Sequence, residues 1–168
     1  MPKIIKDLEK KLIEEAKQQI NDVGYGATTI RSIATACGVG VGTVYNYFAS
    51  KEDILAAYML EDWKNCITAI NAVSLYSTAP APVVQCIYDQ LQAYEQRHTS
   101  VFKDEAAIAS FAGGQSRYHA LLCNQLAQPL RKFCQDDFTA LFIAESLLTW
   151  SMTDRRFEDI YSIIQKLF

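Results

Sequence analysis

The sequence lacks the features that mark secreted, membrane-spanning and disulfide-built proteins. Its five cysteines contain no CxxC pair and leave an odd number, so neither a disulfide framework nor a structural zinc site is predicted. The amino terminus has charged residues where a signal segment would be apolar. The most apolar stretch, 140–150, is too short to span a bilayer and contains Glu145. We therefore expect a protein of the reducing cytoplasm.

A strong charge of either sign is also missing. The chain has 16 Lys and Arg against 19 Asp and Glu, which gives a formal net charge of -3 at pH 7. Residues 1–60 are balanced at seven of each sign, whereas residues 61–168 contain nine basic and twelve acidic residues. This distribution excludes nucleic-acid binding over the whole surface. It leaves the neutral amino-terminal part as the one that can approach phosphate.

No strand pattern, repeat or low-complexity segment occurs, and helical periodicity predicts an all-α fold. A three-helix helix-turn-helix domain is predicted at 1–48, and a helical bundle for dimerisation or effector binding at 49–168. Residues 50–60, the start of the fourth helix, are expected to pack on the first domain. Besides a short helix containing Val44, helices are predicted at 3–23, 28–37, 50–72, 82–98, 104–112, 115–134 with an interruption at Pro129, 136–152 and 155–168.

Residues 28–51 are the stretch with the most specific pattern. Arg31 and Lys51 are its only ionised side chains. One short run has an apolar helical face and ends at Gly38, a residue suited to the left-handed backbone that closes a helix. A second short run follows at once. Two short helices that meet at a glycine-containing turn are typical of the helix-turn-helix of DNA-binding proteins.

Several residues of this stretch match the DNA-binding domain of a known family at the same spacing: Thr29, Ile33, Ala34, Gly38, Val39, Gly42, Thr43, Tyr45, Tyr47, Phe48 and Lys51. At these positions the chain resembles the tetracycline-repressor (TetR) family of bacterial transcription regulators. The resemblance covers about residues 3–60. It implies a homodimer that binds a pseudo-palindromic operator on double-stranded DNA, usually as a repressor, and often leaves it when a small molecule enters the carboxy-terminal domain.

Carried onto this sequence, the resemblance implies a set of DNA-contacting residues. Thr29 and Lys51 stand at helix amino termini, which suit phosphate, and the carboxamide of Asn46 can pair with adenine. Tyr45 and Tyr47 either offer hydroxyls to DNA or pack under the helix. The full predicted set is Thr29, Arg31, Gly40, Val41, Thr43, Tyr45, Asn46, Tyr47 and Lys51.

Two of these positions depart from the family's pattern. Many relatives have a serine or threonine and then a basic residue, where this chain has Gly40 and Val41. The helix thereby loses a side-chain cap and a phosphate-binding charge, so we expect modest affinity. Val41 either meets a thymine methyl or is a scattered exposed apolar residue.

The carboxy-terminal helices have more apolar surface than one core contact requires, which predicts a dimer interface. The interface residues would be Phe138, Leu141, Phe142, Leu148, Phe157, Ile160, Tyr161 and Ile164. An effector cavity or an ordinary core would account for the aromatic and polar residues Tyr88, Tyr94, His98, Phe111, Tyr118, His119 and Trp150.

No other group of residues in the sequence predicts a catalytic site. His119 and Cys123 share a helix face at a spacing that can supply two metal ligands, but no second pair occurs, and we expect neither a metal nor a cofactor. No nucleophile, base and orienting residue can be assembled, so an enzyme is not predicted. The alternative function is a helical protein-interaction module whose degenerate helix-turn-helix head no longer binds DNA.

Overall fold

The computed structural model describes the backbone of residues 7–112 and 115–168, and the side chains of residues 7–109 and 119–168. Within these ranges the chain is helical and contains no strand, as predicted. Short 3-10 turns at Arg131–Phe133 and Gln165–Leu167 accompany the helices. The helices are α1 (Leu8–Val23), α2 (Ile30–Ala36), α3 (Val41–Tyr45), α4 (Lys51–Tyr76), α5 (Pro80–Arg97), α6 (Thr99–Phe102), α7 (Glu105–Ala112), α8 (Gln115–Ala127), α9 (Asp137–Trp150) and α10 (Phe157–Ile164).

Two compact units divide the described residues. The head unit contains the residues up to Asp62 together with 98–112, and the body unit contains residues 63–97 and those from 115 onward. α4 contributes its first half to the head and its second half to the body. The predicted domain ranges, 1–48 and 49–168, stay a prediction.

The head is built on two apolar clusters. Leu8, Leu12 and Ala16 of α1 pack with a buried set from the next three helices and the segment between α3 and α4: Ile33, Ala34, Val44, Phe48 and Ile54. Burial of these side chains gives the short helices α2 and α3 the tertiary packing that they need, because helices of this length are not stable alone. A second cluster joins Ile20, Tyr25, Leu55, Tyr58, Val101 and Ala107.

The body is a helical bundle whose largest fully buried side chains come from α4, α5, α8, α9 and the turn after α8: Ile70, Ile87, Leu91, Leu126, Leu130, Ile143 and Leu147. Trp63 of α4 meets Tyr94 of α5 edge to face, with ring centroids 5.5 Å apart. Its indole Nε1 donates to Gln125 Oε1 at 2.6 Å, which satisfies the buried polar end of the ring.

Several helix boundaries differ from prediction. α4 continues to Tyr76, and α5 begins at Pro80 instead of residue 82, because proline is well suited to the first turn of a helix. α6 was missed, since four residues carry no periodic signal. The interruption at Pro129 is confirmed, with α8 ending at Ala127. The predicted start of α1 at Lys3 lies outside the described residues.

None of the described helices is long and apolar enough to cross a membrane.

Candidate nucleic-acid interface

α2 begins with a reciprocal cap. The backbone N–H of Ser32 donates to Thr29 Oγ1 at 3.0 Å, and the backbone N–H of Thr29 donates to Ser32 Oγ at 3.0 Å. Ser32 Oγ also donates to Gln19 Oε1 of α1 at 2.6 Å. The start of α2 is therefore fixed to α1, and Thr29 is exposed at that point.

The turn after α2 has the predicted left-handed glycine. Gly38 has φ 70°, and its N–H donates to Thr35 O at 3.1 Å, while the N–H of Val39 donates to Ala34 O at 3.0 Å. These two bonds close the helix in the Schellman arrangement, and Val39 packs on the head core. The turn thereby sets the direction in which α3 leaves α2.

α3 is only five residues long and begins without a side-chain cap. Gly40 is its N-cap in an extended conformation, and its carbonyl accepts from the N–H of Thr43 at 2.9 Å. A Cβ added at Gly40 would meet Thr43 Oγ1 at 3.9 Å, so a side chain would fit there. The expected loss of a cap at this position is therefore a structural fact.

The buried side chains Val44 and Phe48 hold one face of this segment in the core. Tyr45 is 54% exposed and Asn46 is also exposed, whereas Val41, Thr43 and Tyr47 are half-buried. Of the two tyrosines, Tyr47 packs against the head core and Tyr45 does not. The segment consequently presents Gly40, Gly42, Tyr45 and Asn46 to solvent, and Arg31 of α2 is exposed as well.

Lys51 lies at the start of α4, and its side chain binds the connection between α1 and α2. Its Nζ donates to the carbonyl oxygens of Tyr25 at 2.8 Å and Thr28 at 3.0 Å, and lies 3.9 Å from the centroid of the Tyr25 ring. The ammonium group is thus directed into the head. The N–H groups at the start of α4, where Asp53 N donates to Ser50 Oγ at 3.1 Å, remain the feature that suits phosphate there.

Two carboxylates hold the same connection. The Tyr25 hydroxyl donates to Glu52 Oε1 at 2.9 Å, and the backbone N–H groups of Tyr25 and Gly26 donate to Asp104 Oδ2 at 2.9 and 3.3 Å. Hydrogen bonds from backbone N–H groups lower the pKa of Asp104, and the largest contribution comes from the N–H of Ala107. The pKa of Glu52 is also lowered, chiefly by a hydrogen bond from the backbone N–H of Glu52 itself. Sequence reasoning missed Asp104 because it lies 79 residues from Tyr25.

The predicted dimer residues do not all reach the surface. Leu148, Ile160 and Ile164 are buried within the body, so their side chains are part of its own core. Phe138 and Phe142 of α9 are 76% and 51% exposed, with ring centroids 6.4 Å apart. Leu141, Phe157 and Tyr161 are half-buried, and the ring of Phe157 stacks on that of Tyr161.

The predicted effector residues whose side chains the structure describes lie in different surroundings. Tyr94 is buried against Trp63, His98 is fully buried with Nε2 2.9 Å from Asp62 Oδ2, and Trp150 is 48% exposed. The side chains of Phe111 and Tyr118 lie outside the described residues. Tyr88 lines an open groove of about 590 Å³ in the body, together with Gln92, Glu95, Gln96 and 152–156.

The head matches a known protein family. Residues 12–58 match the family described as bacterial regulatory proteins, tetR family, which confirms the resemblance seen in the sequence. The chain is 37% identical over 54 residues to the HTH-type transcriptional regulator HbdR of Aromatoleum sp. (strain CIB), a match that covers 32% of this chain and 24% of HbdR. It is 30% identical over 76 residues to the uncharacterized HTH-type transcriptional regulator YuxN of Bacillus subtilis, covering 45% and 26%. The chain thus spans about a quarter of the length of these curated relatives.

Solved structures share the whole fold. The putative transcriptional regulator SCO7518 of Streptomyces coelicolor A3(2) superposes with a TM-score of 0.72 at 14% identity, over 96% of this chain and 98% of that one. The fatty acid degradation regulator FadR of Bacillus halodurans superposes with a TM-score of 0.52 at 23% identity, over 98% and 94%. At these identities the likeness shows the fold alone.

Proposed function

We propose, from the tetR-family domain that residues 12–58 form, that this chain is a sequence-specific DNA-binding transcription regulator. The observation that carries the proposal is the capped and buried helix-turn-helix scaffold, which leaves Tyr45 and Asn46 exposed beside Val44 and Phe48 in the core. A helix held in this way can enter the major groove with its outward side chains on base edges.

The proposed contacts follow from what each group offers. Asn46 would read adenine through its carboxamide, and the hydroxyl of Tyr45 would reach a phosphate or a base edge. Arg31 would supply charge to the backbone. Thr29, Gly40, Val41, Thr43 and Tyr47 line the same stretch, and Gly40 and Val41 offer DNA only backbone groups and an apolar contact.

The proposed assembly is a homodimer that binds a pseudo-palindromic operator and represses transcription. Phe138 and Phe142 on α9 and Ile163 on α10 are large apolar side chains that the chain itself leaves exposed, which supports a second copy as their cover. A two-fold dimer would present its two α3 segments to half-sites about 34 Å apart. If a small molecule releases the operator, the mainly polar lining of the groove at Tyr88 favours a polar one.

Selection of bound fragments from genomic DNA, followed by titration at several salt concentrations, tests the proposal. A regulator should enrich fragments that share an inverted repeat, and its affinity should fall as salt rises, because phosphate contacts release counterions. The absence of Ser or Thr at Gly40 and of a basic residue at Val41 favours the alternative, a head that docks on protein. Failure to enrich any fragment at low salt would support that alternative and exclude the proposal.

A further inference from the structure

α8 and α9 bring together three side chains whose chemistry the proposed DNA binding does not use. His119 Nε2 lies 2.8 Å from Glu145 Oε1, Cys123 Sγ lies 2.9 Å from Glu145 Oε2, and Sγ and Nε2 are 3.7 Å apart. The three donor atoms all lie within 4.8 Å of one another. The sequence revealed only the pair on α8, since Glu145 comes from the next long helix.

We propose that His119, Cys123 and Glu145 form a binding site for a divalent transition-metal ion of the zinc class. Imidazole nitrogen, thiolate sulfur and carboxylate oxygen are the three ligand types that zinc takes in proteins. The sulfur selects against Mg²⁺ and Ca²⁺, which prefer oxygen ligands. This inference is independent of whether the head binds DNA.

The distances suit such an ion. Zinc bonds to sulfur at about 2.3 Å and to nitrogen or oxygen at about 2.0–2.2 Å, which separates tetrahedral ligands by roughly 3.4–3.7 Å. The sulfur and nitrogen already have this separation. The carboxylate would move back from hydrogen-bond distance by about 0.5–0.9 Å. The ion would replace the two hydrogen bonds. The thiol proton and the proton on His119 Nε2 would pass to solvent as the bonds to the metal form, and the neutral imidazole would then carry its proton on Nδ1.

The surroundings leave a path and an open position for the ion. Cys123 is 5% exposed, whereas the side chains of His119 and Glu145 are 42% and 50% exposed. Three protein ligands with one outward position resemble the coordination of catalytic zinc more than that of closed structural zinc.

Cobalt titration of the full chain tests the site. The protein is prepared without a histidine tag, fully reduced and stripped with a chelator. His98 is buried, so His119 is the histidine of the described residues that added Co²⁺ can reach. We expect one equivalent of Co²⁺ to produce sulfur-to-cobalt charge-transfer absorption, and Zn²⁺ to abolish it by displacement.

Variants assign the signal to its ligands. Cys123→Ser should remove the charge-transfer band. His119→Gln and Glu145→Gln, which change exposed groups, should weaken Co²⁺ binding by more than the roughly 10-fold that loss of an outer contact already costs. Cys86→Ser, at a half-buried thiol of the body, is the matched control and should leave the band unchanged.

Three results would overturn the site. The first is the absence of the band in the unmodified chain at millimolar Co²⁺, and the second is a band that survives in Cys123→Ser. The third is binding that is unchanged in both His119→Gln and Glu145→Gln while circular dichroism shows native helix content. Each of these outcomes leaves the three residues as a hydrogen-bonded cluster.

Discussion

The ammonium group of Lys51 donates to the carbonyl oxygen of Tyr25 at 2.8 Å, across 26 residues of sequence. The start of α4 is thereby fixed to the connection between α1 and α2. From the sequence, Lys51 is predicted to contact phosphate directly. In the structure this side chain instead binds the head's own backbone at Tyr25 and Thr28.

The first prediction follows from this contact. Lys51→Ala should lower the melting temperature and weaken operator and non-specific DNA alike, because the connection loses its anchor. The slope of log K against log salt should stay nearly constant, since a side chain in direct contact with phosphate would contribute about 0.9 to it. Calorimetry and salt titrations measure the two effects. A drop of that size in the slope, at unchanged melting temperature, would show instead that the Lys51 side chain contacts phosphate directly.

Asn46 is predicted to set base preference. Asn46→Ala should relax discrimination at one position of each half-site by about 1–3 kcal/mol while leaving non-specific affinity nearly unchanged. Competition with operator variants measures this. Asn71→Ala, at an exposed asparagine of α4 in the body, is the matched control and should bind as the unmodified chain does. An unchanged preference in Asn46→Ala would remove Asn46 from the reading surface.

The missing charge at the start of α3 can be restored. Val41→Arg should raise DNA affinity and steepen the salt slope by about 0.9 for the added phosphate contact. Tyr76→Arg, at a position 86% exposed at the end of α4, adds the same charge outside the head and should leave the slope unchanged. Equal effects of the two substitutions would show that net charge, rather than this position, governs binding.

Asp104 predicts an acid-dependent contribution to stability. Because its pKa is lowered in the folded chain, chiefly by the Ala107 N–H, the ionised carboxylate stabilises the fold above its unfolded pKa of about 3.9. This contribution is lost as the pH falls through the lower folded pKa. Asp104→Asn should therefore reduce the melting temperature at pH 7, and the difference should shrink below about pH 4. Asp22→Asn, at an exposed carboxylate of α1, is the control. A difference that is independent of pH would contradict the ionic role.

The exposed phenylalanines of α9 test the dimer. Phe138→Glu combined with Phe142→Glu should give a monomer in sedimentation at micromolar concentration, because buried charge without a partner opposes association. Leu75→Glu, at a side chain 75% exposed near the end of α4, should leave the sedimentation coefficient unchanged. A dimer that persists in the double variant would place the interface elsewhere.

The head could be predicted in detail because its signals are local. Gly38 adopts the left-handed conformation that its position after α2 required, Thr29 caps α2, and Phe48 is buried. Each of these depends on residues within a few positions along the chain. Sequence periodicity alone could place them, and the match of residues 12–58 to the tetR family follows the same pattern.

The body could be predicted only as helical, because its groups meet across long sequence separations. Periodicity assigned Leu148, Ile160 and Ile164 to an interface, whereas packing within the chain buries them. Of the predicted effector residues whose side chains the structure describes, Tyr88 lines the groove, whereas Tyr94 and His98 are buried.

The sequence by itself therefore determined the helices, the turn at Gly38 and the exposed segment around Asn46, since these depend on local backbone preference and apolar spacing. Tertiary structure alone decided that Lys51 binds the carbonyl of Tyr25, and that Glu145 joins His119 and Cys123. Polar side chains far apart in sequence leave no periodic trace. Their partners are fixed only when the apolar faces of the helices pack.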